Sequence, residues 1–195
     1  MMKTYQLTMI GAVLLSGLLL LQGCIAVAAG GAAAGASAAV DRRTTGTLVE
    51  DEAIELKTVR AIMADKDLNT QSHLNVTSYN TVVLLTGEAP SEELRKRAEQ
   101  IARDVEKSTT VHNEIIVAAP SSLMTRSSDT VITSKVKTKL LANENIEGVN
   151  IKVVTENGVV YLMGLVAKAE AERATEVARQ TGGVQKVVKV FQYTD

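Results

Sequence analysis

The sequence predicts an α+β protein with two tandem domains, each a small three-stranded mixed sheet with two helices in the order αββαβ. Three observations support this prediction: a repeated segment, apolar residues at helical spacing, and hairpin signals between apolar runs. The repeat is clearest where NTVVLLTG at 80–87 aligns with NGVVYLMG at 157–164. Matches on both sides extend the two copies to 48–118 and 128–195, so one structural unit occurs twice.

Each copy begins with apolar residues spaced for one face of an amphipathic helix. They are Ile132, Val136 and Leu140 in the second copy, and Ile54, Thr58 and Ile62 in the first. Asp51 and Asp129 stand just before these runs and are therefore predicted to be the helix N-caps. A second helix is predicted at 91–105 and at 168–180, before the last strand of each copy.

Three strands complete each copy. The first two are predicted to form a hairpin, and its turn in the second copy is Asn157-Gly158, a strong signal for a two-residue turn. Asn80-Thr81 takes this place in the first copy, where the missing glycine makes the turn less favourable. A right-handed crossover through the second helix makes the last strand parallel to its neighbour. The strands are predicted at 74–78, 82–87 and 111–117, and at 149–155, 159–165 and 187–193.

The two copies are expected to pack against each other, because a single unit of about 70 residues has a thin core and low stability alone. We expect this packing to use a sheet edge, or the open face of a sheet against a helix. Pro120 and several serines at 119–127 indicate a short linker between the copies.

The N-terminal part of the chain has the pattern of an export signal. An apolar segment at 7–21 follows the single charge of Lys3. It ends in LQGC at 21–24, which contains the only cysteine of the 195 residues. Residues 10–40 carry no charge, so a retained membrane helix, or a cysteine that merely lies in an apolar segment, stays an alternative. Because most residues after the cysteine are Ala and Gly, we interpret 24–47 as a flexible tether.

The sequence LQGC resembles the lipobox of bacterial lipoproteins. The resemblance implies that 1–23 is a signal peptide, that the chain is cut between Gly23 and Cys24, and that Cys24 is acylated on its sulfur and its new amino group, with fatty acids such as palmitate. Three acyl chains would hold the protein on a membrane almost permanently, since each buried methylene contributes about 0.8 kcal/mol. The residue directly after this cysteine is Ile25. By the sorting rule of enteric bacteria, the absence of Asp at this position implies transport to the outer membrane.

Motifs in both copies resemble the BON domain. They are VYLMG at 160–164 and GVQKV at 183–187, with VLLTG at 83–87 and VHNEI at 111–115 in the first copy. Two such domains behind a lipobox resemble the dual-BON outer-membrane lipoproteins of Gram-negative bacteria. The resemblance implies a periplasm-facing protein that binds phospholipid and supports envelope integrity. Most of the shared residues are core and turn residues, so they argue for the fold more than for the function.

Composition and motifs favour a protein without enzymatic activity. The net charge of −1 gives no signal for nucleic-acid binding. His73 and His112 have no partner at the spacing of a metal site, and no serine has a neighbouring base. No glycine-rich phosphate loop is present either. We therefore expect no catalytic residues, no cofactor and no metal site, and the oligomeric state stays open.

The first helix of the second copy is the candidate lipid-binding site. The first copy has a net charge of −4 over 41–119, whereas the second has +1 over 128–195. Cations beside an exposed apolar residue on a helix suit anionic lipid headgroups. The candidate residues are Val131, Lys135, Thr138 and Lys139, with Leu123 and Met124 leading into the same end of the helix.

Other interpretations of these residues, and of the protein as a whole, stay open. The lysines can be an ordinary solvated face, with Val131 packed on the other domain. The protein as a whole can be an adaptor for an envelope assembly or division machine, with envelope proteins as partners, or a structural spacer.

Overall fold

The computed structural model describes residues 41–195, which form one compact unit. The predicted signal peptide, Cys24 and most of the predicted tether lie outside the described residues. We refer to the part of the unit before Ala118 as domain 1 and to the part from Ser122 onward as domain 2.

Domain 1 contains three helices and four strands, two of which are short. The helices are α1 (Thr45–Ala64), α2 (Lys66–Gln71) and α3 (Glu92–Asp104), and the strands are β1 (His73–Tyr79), β2 (Val82–Ala89), β3 (Thr110–Asn113) and β4 (Ile116–Val117). Domain 2 contains α4 (Leu123–Leu141), a 3-10 turn (Gly148–Asn150), β5 (Ile151–Glu156), β6 (Val159–Val166), α5 (Lys168–Arg179) and β7 (Lys186–Tyr193).

Both domains have the predicted topology. Strands β1 and β2 are antiparallel, and β3 and β4 lie parallel to β2 on its other side. In domain 2 the order is β5-β6-β7, with β5 antiparallel and β7 parallel to β6. The predicted α+β fold of two small mixed sheets with helices is therefore confirmed.

Domain 1 departs from the prediction in two details. A short helix, α2, follows α1, because Asp65 ends the first helix and caps the second through bonds to the amides of Asp67 and Leu68. The predicted last strand is divided into β3 and β4, since Ile115 turns inward, where its side chain is buried and its amide bonds to Asn113.

The helices of each domain cover one face of its sheet. In domain 2 the residues of the predicted stripe on α4 pack with alanines of α5 and with inward residues of β5 and β6. The equivalent cluster in domain 1 combines residues of α1, α2 and α3 with Val83 and Leu85 of β2. Small alanines on α3 and α5 let these helices lie close to the sheet.

The open faces of the two sheets pack against each other. Tyr79, Val82 and Leu84 of domain 1 form one buried cluster with Tyr161, Met163 and Val190 of domain 2. The expectation of an edge contact, or of a face against a helix, was therefore wrong. The reason is that β2 and β6 are apolar on both faces, so each needs cover on the side opposite its helices.

Two reciprocal hydrogen bonds flank this apolar interface. The Asn75 side chain of domain 1 donates to Glu156 of domain 2 over 2.7 Å, and the Asn157 side chain of domain 2 donates to Glu88 of domain 1. Both glutamates are buried. Since a buried carboxylate needs hydrogen-bond partners, these bonds fix the relative position of the two sheets.

The first helix of each copy starts earlier than predicted. The Thr44 hydroxyl accepts a bond from the Thr47 amide at the start of α1, and the Ser122 hydroxyl accepts one from the Thr125 amide at the start of α4. The N-cap predictions for Asp51 and Asp129 were therefore wrong, because hydroxyl caps stand further upstream. Both aspartates lie inside the helices with buried side chains. Part of the predicted linker 119–127 is the first turn of α4.

The last residues of the predicted tether 24–47 also depart from the expectation. Arg42 binds domain 2: its guanidinium donates to the Leu165 carbonyl over 2.9 Å and to Glu170 over 2.7 Å. Arg43 binds domain 1, where its guanidinium lies 3.9 Å from the ring centroid of Tyr79. Two consecutive arginines thus connect both domains where the described chain begins.

Candidate functional site

Helix α4 presents the predicted lipid-binding residues on the side opposite its core. Ile132, Val136 and Leu140 are buried against the sheet of domain 2. At 100° per residue, Val131 and Thr138 lie on the outward side of the helix. Four of the predicted side chains, Val131, Lys135, Thr138 and Lys139, therefore border one solvent-facing surface. Leu123 and Met124 lie at the start of α4, outside the lining of this surface.

Three apolar side chains on this side are exposed. Leu123 is 78% exposed, Met124 80% and Val131 52%. Met124 and Val131 are seven residues apart, which is about two helical turns, so they lie in one line along α4. The interpretation in which Val131 packs on the other domain does not hold, because half of its surface faces solvent.

The two predicted lysines differ in their surroundings. The Lys139 ammonium donates to the carbonyl of Gln180, at the end of α5, over 3.2 Å. Lys135 is exposed, and within residues 41–195 it has neither an ion pair nor a side-chain hydrogen bond. Of the two lysines, Lys135 is therefore the more available to an outside ligand, whereas Lys139 also connects α4 to the end of α5.

The surface of α4 has a shallow depression of about 460 Å³. Its lining contains the predicted Val131, Lys135, Thr138 and Lys139, and also Thr130 and Ser134. The sequence analysis missed the last two, although helical spacing places Ser134 three residues after Val131. We call the surface of Leu123, Met124, Val131, Lys135, Thr138 and Lys139 the basic face.

Domain 1 has no matching basic surface on its equivalent helix. Seventy-eight residues earlier, Lys57 corresponds to Lys135 and Ala61 corresponds to Lys139. Lys57 lies 3.9 Å from the carboxylate of Glu106, which offsets its charge. The difference in net charge between the two copies is thus present on their first helices.

A second cavity, of about 440 Å³, is a polar cleft between the domains. His73 and Asn75 of domain 1 line it, together with Arg126, Lys137 and Glu156 of domain 2. Burial, reinforced by the nearby charge of Arg126, lowers the pKa of His73, so its imidazole is neutral at pH 7. The lining of the cleft mixes acids, bases and hydroxyl groups.

Residues 41–195 contain no cluster of three His, Cys, Asp or Glu side chains that could hold a metal ion. In the same range, no helix has the length and apolar character needed to cross a membrane.

Comparisons with known proteins agree with the fold. The family model described as "BON domain" matches residues 50–119 and 128–195. The chain is 38% identical to "Outer membrane lipoprotein DolP" of Haemophilus influenzae, over 94% of this chain and 95% of that protein.

Two further relatives are similar over most of their length. The "21 kDa hemolysin" of Actinobacillus pleuropneumoniae is 40% identical over 79% of each chain. The "Osmotically-inducible protein Y" of Escherichia coli is 34% identical over 73% of this chain and 72% of that one. The two matched domains and these relatives confirm the resemblance inferred from the repeated motifs, and the chain belongs to the BON-domain family as a dual-BON protein of the DolP type.

Proposed function

We propose that this chain is a non-enzymatic lipoprotein of the outer membrane, on the periplasmic side, which binds anionic phospholipid through the basic face of α4 and so supports outer-membrane integrity. The observation that carries the proposal is the combination, on one outward helix surface, of exposed apolar side chains with Lys135 and Lys139. The printed name of the DolP relative and the LQGC sequence support the location.

The basic face can bind a membrane in two ways at once. Leu123, Met124 and Val131 can enter the region between headgroups and acyl chains, where apolar side chains are favoured. The two lysines then lie at the level of the headgroups, where each cation contributes about 1 kcal/mol. Together the lysines change membrane partitioning by about thirtyfold.

A weak surface of this kind is sufficient for an anchored protein. The predicted acyl chains on Cys24 would hold the domains near the bilayer, so the basic face would act at a high effective concentration. The basic face would then set the orientation of the domains on the membrane, while the acyl chains supply most of the affinity.

Vesicle flotation of residues 41–195 tests the binding site. We expect this segment to float with phosphatidylcholine vesicles that contain phosphatidylglycerol, and not with phosphatidylcholine alone. Lys135→Glu combined with Val131→Glu should abolish flotation, while the melting temperature stays nearly unchanged because both side chains are exposed. Lys139 is left intact because it also binds Gln180.

A charge control reverses two exposed lysines of domain 1, which lie on different helices. Lys66 and Lys96 are exposed, and Lys66→Glu combined with Lys96→Glu should leave flotation unchanged. Equal loss in both variants would mean that net charge alone, and not the basic face, determines binding. If wild type does not float, the lipid proposal is wrong and the adaptor interpretation replaces it.

Acyl labelling tests the anchor separately. Cys24→Ala in the full-length chain should abolish incorporation of radioactive palmitate and leave an uncut precursor or a soluble periplasmic protein. Undiminished labelling of this variant would contradict the assignment of Cys24 as the acylated residue.

A further inference from the structure

Helix α1 is apolar on two opposite sides, and within residues 41–195 only one of them is covered. Ile54 and Ile62 face the core of domain 1. Directly opposite lie Val49, Leu56 and Met63, which are 65%, 49% and 59% exposed. A solvent-facing helix normally carries polar residues on its outer side, so an apolar line there indicates a partner. We call Val49, Leu56, Val59 and Met63 the outer stripe.

The outer stripe is regular along the whole helix. Val49, Leu56 and Met63 follow each other at intervals of seven residues, or about two turns. Val59 lies on the flank of this line. A groove of about 240 Å³ adjoins Val59 and Met63, where Leu74 and Val76 widen the apolar surface. This spacing is that of a helix that packs lengthwise against another helix.

The charges beside the outer stripe are ordered along α1. Glu52 is exposed four residues before Leu56, and Arg60 is exposed four residues after it. Within the described range neither has an ion pair or a side-chain hydrogen bond. By contrast, Glu50 binds Lys107 inside domain 1. The two unpaired charges therefore have opposite signs and equal distances from the middle of the stripe.

This arrangement is complementary to itself under a two-fold axis through Leu56. In an antiparallel pair of α1 helices, Val49 lies at the level of Met63 of the second copy, and Glu52 lies at the level of Arg60 of the second copy. Two-fold contacts of this kind use the same surface on both chains. We propose that the outer stripe is a homodimer interface, in which two copies of this chain pack α1 against α1 in antiparallel orientation.

Charge distinguishes this surface from the basic face. The basic face carries cations beside its apolar residues, which suits an anionic bilayer. The outer stripe carries one acid and one base at opposite ends, which an anionic bilayer would not favour. A second copy in antiparallel orientation neutralises both charges and covers all four apolar side chains.

Cysteine cross-linking of the full-length chain in its membrane tests the geometry. Leu56→Cys should give a disulfide-linked dimer under mild oxidation, because this residue lies on the two-fold axis. Val49→Cys alone and Met63→Cys alone should not, since each would be roughly 21 Å from its own equivalent along the antiparallel helices. A disulfide needs Cα atoms within about 7 Å. Co-expressed Val49→Cys and Met63→Cys chains with different tags should cross-link to each other.

Charge reversal provides a second measurement that does not depend on cysteine. Glu52→Arg or Arg60→Glu should weaken dimerisation of the detergent-solubilised full chain about tenfold, because each change affects both symmetry-related pairs. The double variant should restore dimerisation, since the pairs form again with exchanged signs. Leu56→Glu should give a monomer in sedimentation velocity experiments with an unchanged melting temperature.

Three results would overturn the proposal. Self-cross-linking of Val49→Cys would show a parallel pair in place of the antiparallel one. A wild-type chain that sediments as a monomer, with no cross-link at Leu56→Cys above the wild-type background, would show that α1 has no copy of itself as partner. If Leu56→Glu weakens binding to phosphatidylglycerol vesicles without changing sedimentation, the outer stripe is a membrane contact.

Discussion

The carboxylate of Asp129, inside helix α4, accepts a 2.8 Å hydrogen bond from the backbone amide of Gly158 at the β5–β6 turn. Its second oxygen accepts a bond from the amide of Asn157 over 2.9 Å. Domain 1 repeats this contact, with Asp51 accepting from the amides of Asn80 and Thr81. In both copies a buried helical aspartate therefore fixes the first helix to the tip of the first hairpin.

Loss of this contact should destabilise the protein. Asp129→Ala leaves the amides of Asn157 and Gly158 without their acceptors, so we expect a loss of about 3 kcal/mol in the free energy of unfolding. Asp129→Asn, which keeps one oxygen acceptor, should lose about half as much. Urea unfolding followed by circular dichroism measures both values. The exposed neighbour Ser128 provides the control, and a loss no larger than that of Ser128→Ala would refute the structural role.

The two hairpin turns should respond differently to substitution. Gly158 has a φ of +74°, and a Cβ atom there would lie 2.8–2.9 Å from the side chain of Gln185. Gly158→Val should therefore cost at least about 1 kcal/mol. Thr81→Val should cost less, because Thr81 is already β-branched and the valine adds no new strain to the turn. Thermal melts of the two variants compare these losses, and equal losses would contradict the expectation.

The turn of domain 1 also allows a stabilising change. Thr81 has a φ of +65° and Asn80 a φ of +49°, so a β-branched residue occupies a left-handed conformation. Glycine adopts this conformation without strain, although it adds freedom to the unfolded chain. We expect Thr81→Gly to raise the free energy of unfolding by about 1 kcal/mol. An unchanged or lower value in urea would show that the hydroxyl bonds of Thr81 outweigh its strain.

The sequence predicted most of the fold because the repeat gave each element twice. It located Asp51 and Asp129 as equivalent residues but assigned them the wrong role. An aspartate before an apolar run has the same pattern whether it caps the helix or lies inside it. The polar first turns after Thr44 and Ser122 add no apolar periodicity, so nothing in the pattern extended the helices upstream.

The face-to-face packing of the sheets has a signal in the sequence, namely apolar residues on both faces of β2. Val82-Val83-Leu84-Leu85 has four consecutive apolar residues, whereas a strand with one open face alternates with polar residues. The exposed position of Val131 and Lys135 was easier to predict, because helical geometry alone places both residues outside the core stripe of α4. Its functional meaning depends on charges and partners, which periodicity does not describe.

Arg42 should stabilise domain 2 through its contact with Glu170. Glu170 is buried and accepts bonds from both the Arg42 guanidinium and the Glu147 amide. Arg42→Ala removes the cation and leaves this carboxylate buried, so we expect a loss of about 3 kcal/mol in the free energy of unfolding. Arg42→Lys should lose less, since it keeps the charge but not the bond geometry.

Hydrogen exchange separates this effect from a general loss of stability. In Arg42→Ala, the amides of the first turn of α1 should exchange faster than in wild type, because the segment before Thr44 loses the guanidinium bonds to domain 2 and keeps the backbone bond from residue 42 to the Asn150 side chain. The amide of Leu162, in the centre of β6, should change its exchange rate only as far as the global stability of the protein changes. Unchanged exchange in α1 would mean that Arg43 and the backbone bond to Asn150 hold the segment without the Arg42 guanidinium.

The buried carboxyl group of Glu156 should make the free energy of unfolding depend on pH, and its burial determines the direction of this dependence. Burial raises the pKa of this carboxyl group; the bond from Asn75 opposes the shift, and the nearby charges of Glu88 and Asp129 add to it. A raised pKa means that the folded protein binds the proton more tightly than the unfolded chain does. The ionised group therefore costs stability at neutral pH, and this cost decreases as the pH falls through the raised folded pKa.

Glu156→Gln removes this cost, because a neutral amide oxygen can still accept the bond from Asn75. The variant should be more stable than wild type at pH 7.5, and its advantage should shrink as the pH is lowered towards about 4.5, the ordinary pKa of glutamate. Urea unfolding of both proteins at several pH values measures the difference, in which the other titrating groups cancel. Glu144→Gln, on an exposed loop, should show no such trend. Two results would contradict this expectation: Glu156→Gln is no more stable than wild type at pH 7.5, or its gain in the free energy of unfolding grows on acidification. Either result would show that the domain interface stabilises the buried carboxylate.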